Sequence, residues 1–207
     1  MLYTVLDIET NGLSSSSCEI LEVGYIQVDR SVNIIRHGVI YFYKPEWEIE
    51  NKSQMYHKLS RSFLESKCPD NETFKENLTK LYTLFFRGVI IGKNSDRFDI
   101  PAIKAFLRRN IDCLDDVPTW GTLDLQVYYT DFFRKWYSEK YGVSAGRKTG
   151  TLEELIEMIG YTQDDVRKGF RQDLNESNRS DAHGALYDTY MTYLLTKYAV
   201  ENYGMKL

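Results

Sequence analysis

Apolar positions along the chain fall first at strand spacing and later at helix spacing. Leu2-Tyr3-Thr4-Val5-Leu6 opens with an apolar run that reads as a first strand. From Glu19 onward, Ile20, Leu21, Val23, Tyr25, Ile26 and Val28 are β-branched, aromatic or aliphatic, as a second strand requires. Asp29-Arg30-Ser31 supplies a turn, and Val32 to Tyr43 reads as a third strand. Three consecutive strands with short connections predict an antiparallel meander.

The period then changes. Phe74, Leu78, Leu81, Tyr82 and Phe85 form one helical stripe between Asn71 and Phe86. Val89-Ile90-Ile91 is a short, wholly apolar strand of the kind buried on both faces. Ile100 to Asn110 is helical again, with Pro101 tolerated in its first turn. Val117 to Trp120 reads as a further short strand, followed by a helix from Thr122 towards Tyr137. Leu152, Leu155, Ile156 and Ile159 give an amphipathic helix over Thr151 to Ile159 that stops at Gly160. A long helix from Asp181 to Tyr203 ends the chain. Strands first, then strands alternating with helices, predict an α/β fold: a mixed five-stranded sheet with three antiparallel N-terminal strands and helices on both faces. Sites in such sheets gather at the carboxyl ends of the strands.

Composition narrows the picture. The 207 residues suit one domain spanning 1–207. No apolar run approaches the roughly 20 residues of a membrane span, and the opening lacks a signal peptide's basic start, so a cytoplasmic protein with no membrane partner is expected. Cys18, Cys68 and Cys113 are odd in number and never paired as C-x-x-C, which argues against a disulfide framework or a zinc site. A net charge of -4 excludes a protein that coats nucleic acid by charge alone. It leaves room for carboxylates clustered around metal ions.

Three stretches carry candidate chemistry. Asp7 and Glu9 follow the first apolar run, two residues apart, so both side chains point to one face of a strand. Two such anions suit a hard divalent cation, although D-x-E also describes ordinary acids where a strand meets solvent. Further on, Ile90 to Ile103 runs from a buried strand through Gly92-Lys93-Asn94-Ser95 to Phe98-Asp99 at the start of a helix. Helix capping accounts for Asp99 but leaves Asn94 and Phe98 unexplained. Near the end, His183 and Asp188 stand five apart, roughly 140° around a helix. They converge only if His183 lies on a loop before the helix, which Gly184 favours.

Together the three stretches resemble the DEDDh 3′-to-5′ exonucleases, the group that includes RNase T and the epsilon proofreading subunit of DNA polymerase III. Asp7-Ile-Glu9-Thr10-Asn-Gly12-Leu13 is similar to the family's D-x-E-T-x-G-L, Asn94 to Asp99 to its N-x-x-x-F-D element, and His183 to Asp188 to its H-x-x-x-x-D. Met55 to Ser60 resembles its I-H-G-I-T segment, Thr122 to Leu125 its D-T-L-x-L, and Gly150 to Gly160 its L-x-x-L-x-x-x-L-G helix. The likeness runs from about Leu2 to Tyr198. The chain departs from the pattern at Lys58, Lys93 and Gly121, where members carry Gly, His and Asp.

The resemblance implies an RNase H-like fold and a 3′-to-5′ exonuclease that releases nucleoside 5′-monophosphates from single-stranded DNA. It implies that Asp7, Glu9, Asp99 and Asp188 hold two Mg²⁺ ions, replaceable by Mn²⁺, with Asp7 bridging and His183 as general base. Thr10 and Gly12 would meet the terminal nucleotide and Leu13 would wedge against its base. His57 and Asn94 would contact sugar or phosphate, and Phe98 would stack. Arg108-Arg109, Arg134-Lys135, Arg147-Lys148 and Arg167-Lys168 are phosphate-contact candidates, Arg147-Lys148-Thr149 foremost. An RNA 3′ end remains an alternative substrate, and a non-catalytic nucleic-acid-binding module an alternative role. A DNA polymerase or other replication protein is a candidate partner, and the chain is expected as a monomer or homodimer.

Overall fold

The computed structural model describes residues 1–49, 55, 57–86, 88–112, 114, 117, 119–175 and 184–207. Five strands form one sheet in the order β3-β2-β1-β4-β5. They are β1 (Leu2–Thr10), β2 (Ile20–Val28), β3 (Ile34–Tyr41), β4 (Gly88–Gly92) and β5 (Thr122–Asp124). The β1–β2 and β2–β3 pairs are antiparallel, and the β1–β4 and β4–β5 pairs are parallel. The described helices are α1 (Arg61–Lys67), α2 (Asn71–Phe86), α3 (Asp99–Asn110), α4 (Leu125–Tyr141), α5 (Leu152–Met158), α6 (Gln163–Leu174) and α7 (Ala185–Tyr203). None of them is long and apolar enough to cross a membrane.

Alternation along the central strand assigns its residues to two cores. Leu6 and Ile8 face one apolar cluster, together with Leu21 and Val23 of β2 and Phe74, Leu78 and Phe106 of α2 and α3. There Phe42 meets Phe106 edge-on with ring centroids 4.9 Å apart. Tyr3 and Val5 face the other cluster with Ile26 and Val28, under Tyr129 and Phe133 of α4 and Tyr190 and Leu195 of α7. Helices therefore cover both faces of a mixed five-stranded sheet, as the sequence pattern predicts.

Helix α7 is buried on nearly every side, which explains its lack of a polar face. The hydroxyls of its buried threonines Thr189, Thr192 and Thr196 donate to carbonyls four residues back and so stay satisfied. Its first turn crosses β2 at Gly24. A Cβ there would stand 2.4 Å from the Ala185 backbone, so only glycine admits this approach.

Some boundaries differ from the sequence expectation. The fifth strand is Thr122–Asp124, and of Val117 to Trp120 none of the described residues is in a strand. Only three residues pair with β4, too few for alternation to reveal. The following helix starts at Leu125 because Asp124 is its N-cap, accepting the Gln126 N–H at 2.9 Å. The third strand begins at Ile34, since Val32 turns with φ 62. The last helix begins at Ala185, and the expected stretch from Asp181 to His183 lies outside the described residues.

Candidate active site

On the face of β1 turned towards α7, Tyr3 and Val5 are buried among apolar side chains, and Asp7 and Glu9 follow. Register across the sheet sets Glu22 of β2 opposite Glu9, and Gly24 opposite Asp7. Because Gly24 lets the start of α7 lie against the sheet, Asp188 in that helix's first turn reaches the same place. Carboxylate oxygens of Asp7, Glu9 and Asp188 lie within 4.8 Å of one another. The helix N-terminus favours the Asp188 charge.

Asp99 comes in from the other side. Parallel pairing of β4 with β1 brings the β4–α3 loop to the carboxyl end of β1. Asp99 opens α3 and is buried. Phe98, not Asp99, occupies the N-cap position, so capping does not account for the aspartate.

Electrostatics mark these four acids out from the rest of the surface. Burial pushes Asp7 well above the ordinary carboxylate range, and Asp99, Asp188, Glu9 and Glu22 push it further. Glu9 is raised to about 9 by burial, then by Asp188, Glu22 and Asp99. Asp99 is raised by burial to about 7, although the backbone N–H groups of Asp99 and Ile8 pull it down. Asp188 also reaches about 7, through burial and the charges of Glu153 and Glu22. Protein cations offset little of this. Burial lowers Lys93 while the charges of Glu153, Asp7, Asp124 and Glu154 hold it up. Carboxylates so crowded stay ionised together only when added positive charge joins them. The donor set, all hard oxygens, fits divalent cations.

The loop that delivers Asp99 is itself held by a carboxylate. Asp124, buried at the end of β5, accepts the Asn94 N–H at 2.8 Å and the Asp96 N–H at 3.4 Å besides capping α4. Asn94 turns with φ 61, a left-handed conformation that asparagine tolerates. Its side-chain oxygen accepts from Gln126 at 3.2 Å.

Against this geometry stand the comparisons with known proteins. A family model described as exonuclease, RNase_T, matches residues 4–196. The chain belongs to this exonuclease family. Among solved structures, exonuclease I from Methylocaldum szegediense superposes with a TM-score of 0.71 at 18% identity, covering 97% of this chain and 40% of that one. The zinc-bound E. coli exonuclease I complex with single-stranded DNA gives 0.67 at 20% identity, covering 97% and 40%. At these identities the likeness establishes the RNase H-like exonuclease fold. The chain spans about two fifths of the length of these structures. No curated protein sequence matches it. Exonucleases of this family need divalent metal ions, and the acidic cluster is where this chain can hold them.

In this exonuclease domain the remaining sequence-derived residues other than His183 have described positions. Thr10 donates to the Gly12 carbonyl at 2.7 Å and so closes the turn after β1, beyond which Leu13 is 85% exposed. His57 is buried. Its Nδ1 accepts the Leu59 N–H at 3.0 Å, so Nε2 carries the proton and has no partner among the described residues. Burial lowers its pKa. Phe98 is half-buried against the first apolar cluster. His183 lies outside the described residues.

Of the basic candidates, Arg109 is spent on the carbonyls of Ser16 and Cys18, tying the loop after β1 to α3. Lys148 donates to the Tyr137 hydroxyl at 2.6 Å, and Arg167 pairs with Asp164 at 3.0 Å.

Sequence reasoning missed Glu22, Gly24 and Asp124. Glu22 is a fifth carboxylate, almost wholly buried, with the Tyr41 hydroxyl 3.3 Å from one oxygen. A lone carboxylate in a strand buried along nearly its whole length was its readable signal.

Proposed function

We propose that the chain is a single divalent-metal-dependent 3′-to-5′ exonuclease domain acting on single-stranded DNA. The observation that carries this reading is the convergence of Asp7, Glu9 and Asp188 within 4.8 Å at the carboxyl end of the central strand, with Asp99 buried beside them. The exonuclease I relatives support the substrate class, since structures of that enzyme contain single-stranded DNA.

In this reading Asp7, Glu9, Asp99 and Asp188 would hold two Mg²⁺ ions, for which Mn²⁺ would substitute, with Asp7 as the ligand they would share. Divalent cations held there would supply the charge that lets four carboxylates coexist, and with it a more acidic bound water and a counter-charge for the leaving 3′-oxygen. Asp124 fixes the loop, and with it the Asp99 carboxylate. Leu13, exposed beyond the closed Thr10–Gly12 turn, wedges against the terminal base. The Nε2–H of His57 offers a donor to the sugar. His183 acts as general base, suited to it because an imidazole titrates near working pH. Its sequence position, five residues before Asp188 as in the family's H-x-x-x-x-D element, supports that role.

Matched single-stranded DNA and RNA oligonucleotides test the proposal. With Mg²⁺ present, wild type should release nucleoside 5′-monophosphates from the DNA 3′ end. Asp7→Ala should lower the rate by about a thousandfold or more. Unchanged metal-dependent cleavage in the variant would refute the assignment, and faster RNA turnover would move the substrate from DNA to RNA.

A further inference from the structure

The loop from Asn94 to Asp99 borders a second pocket. A space of about 320 Å³ lies between Arg97 of that loop, the first turns of α4 and Thr149. Gln126, Thr130 and Arg134 line it at intervals of four residues, which sets them along one stripe of the helix. This stripe begins two residues after Asp124, the residue that anchors the Asp99 loop.

Among the described residues, the basic groups of the pocket have little anionic compensation. The Arg134 Nε–H is buried and has no acceptor among the described residues. Among the described residues the carboxylate paired with that guanidinium is Asp131, 3.6 Å away with its side chain 95% exposed, an arrangement that contributes little. The other carboxylate in the lining, Asp124, already accepts three backbone N–H groups. Arg97 is exposed at the rim, two residues before Asp99. A buried guanidinium N–H without an acceptor is costly unless a ligand supplies one. Two guanidinium groups beside the hydroxyl of Thr149 suit the tetrahedral oxygens of a phosphate, and a space of this volume also admits part of a sugar.

We infer that this pocket is a second, anion-binding subsite that takes a backbone phosphodiester of the strand whose 3′ end lies at the acidic cluster, with Arg134 and Arg97 as its donors. The inference rests on the exonuclease reading and adds where the strand is gripped away from the cut. The same loop walls both sites, so a strand held at both is fixed in register with the Asp99 carboxylate. Length dependence follows. Substrates long enough to reach the pocket gain affinity, and a lone nucleotide ester does not.

Steady-state kinetics on oligothymidylates of increasing length, set against thymidine 5′-(p-nitrophenyl phosphate), read this out. For Arg97→Ala combined with Arg134→Gln, KM on long oligonucleotides should rise about tenfold, with kcat within about twofold. The dependence of log affinity on log salt should flatten by about 0.7 for each phosphate that is no longer neutralised. The ester, which does not reach the pocket, should keep its KM. Arg97→Ala alone, at an exposed position that leaves no void, should show the same effect in smaller measure, so misfolding of the double variant does not decide the test. An unchanged KM and salt slope on long substrates would overturn the inference, and so would an equal loss on the ester. Asp7→Ala, run in parallel, keeps the two readings apart. If it abolishes cleavage while the arginine variants change nothing, the exonuclease assignment stands and the subsite falls.

Discussion

The two halves of one face of β1 are built on opposite principles. Tyr3 and Val5 lie under α4 and α7 in a dry apolar cluster, where each buried methylene stabilises the fold. Four residues further along the same face, Asp7 and Glu9 meet Asp188, and burial and the neighbouring carboxylates raise the pKa of each. The first half holds the sheet to its helices. The second half works against folding until positive charge arrives, and a site destabilised in the free protein is one primed to bind. The apolar core and the candidate site are thus separated within a single strand.

The sharpest way to break this comparison is a pair of substitutions two residues apart. Asp7→Asn should lower exonuclease activity by about a thousandfold or more while raising the melting temperature of the metal-free protein. Val5→Ala should do the reverse, lowering stability by about 2 kcal/mol and leaving kcat nearly intact. Gly24→Ala comes next. Its methyl would collide with the backbone at Ala185, so α7 must shift and carry Asp188 away from Asp7. Loss of about 3 kcal/mol together with a large fall in kcat is expected, checked by thermal unfolding and single-turnover cleavage. Asp124→Ala should cost about 2 kcal/mol, because it removes a helix cap and leaves loop N–H groups without their acceptor. Smallest is Glu22→Gln, which keeps the acceptor for Tyr41 and removes one like charge from the cluster. Metal-free stability should rise by about 1 kcal/mol and Mn²⁺ affinity fall, seen by calorimetry. A residue with only a packing role would lower stability and leave the affinity alone.

How much was legible follows from the same geometry. The four acids were readable because each sits in a short stretch with its own local logic: a strand end, a strand-to-loop-to-helix passage, a helix start. Glu22 and Gly24 act only through antiparallel register, which places them opposite Glu9 and Asp7 and is invisible until the strands pair. Asp124 acts across about thirty residues by holding the backbone of Asn94 and Asp96, a relation without any periodic signature. Helix α6 escaped because it is mostly polar. Its readable mark was the capping box formed by Thr162 and Asp165. The fifth strand escaped because three paired residues are too few to show a period.

Thermal unfolding from pH 5 to pH 9, with and without Mn²⁺, tests the central claim most directly. These carboxylates have pKa values raised from the ordinary 3.8 and 4.5 to about 7 for Asp99 and Asp188 and about 9 for Glu9. Between those limits the folded state holds more protons than the unfolded state, so metal-free stability should fall as pH rises from about 4 towards 9. Saturating Mn²⁺ should raise the melting temperature most at the alkaline end and flatten that decline, and Asp7→Asn should remove much of both effects. Metal-free stability that rises with pH, or an Mn²⁺ shift that survives intact in Asp7→Asn, would contradict the account.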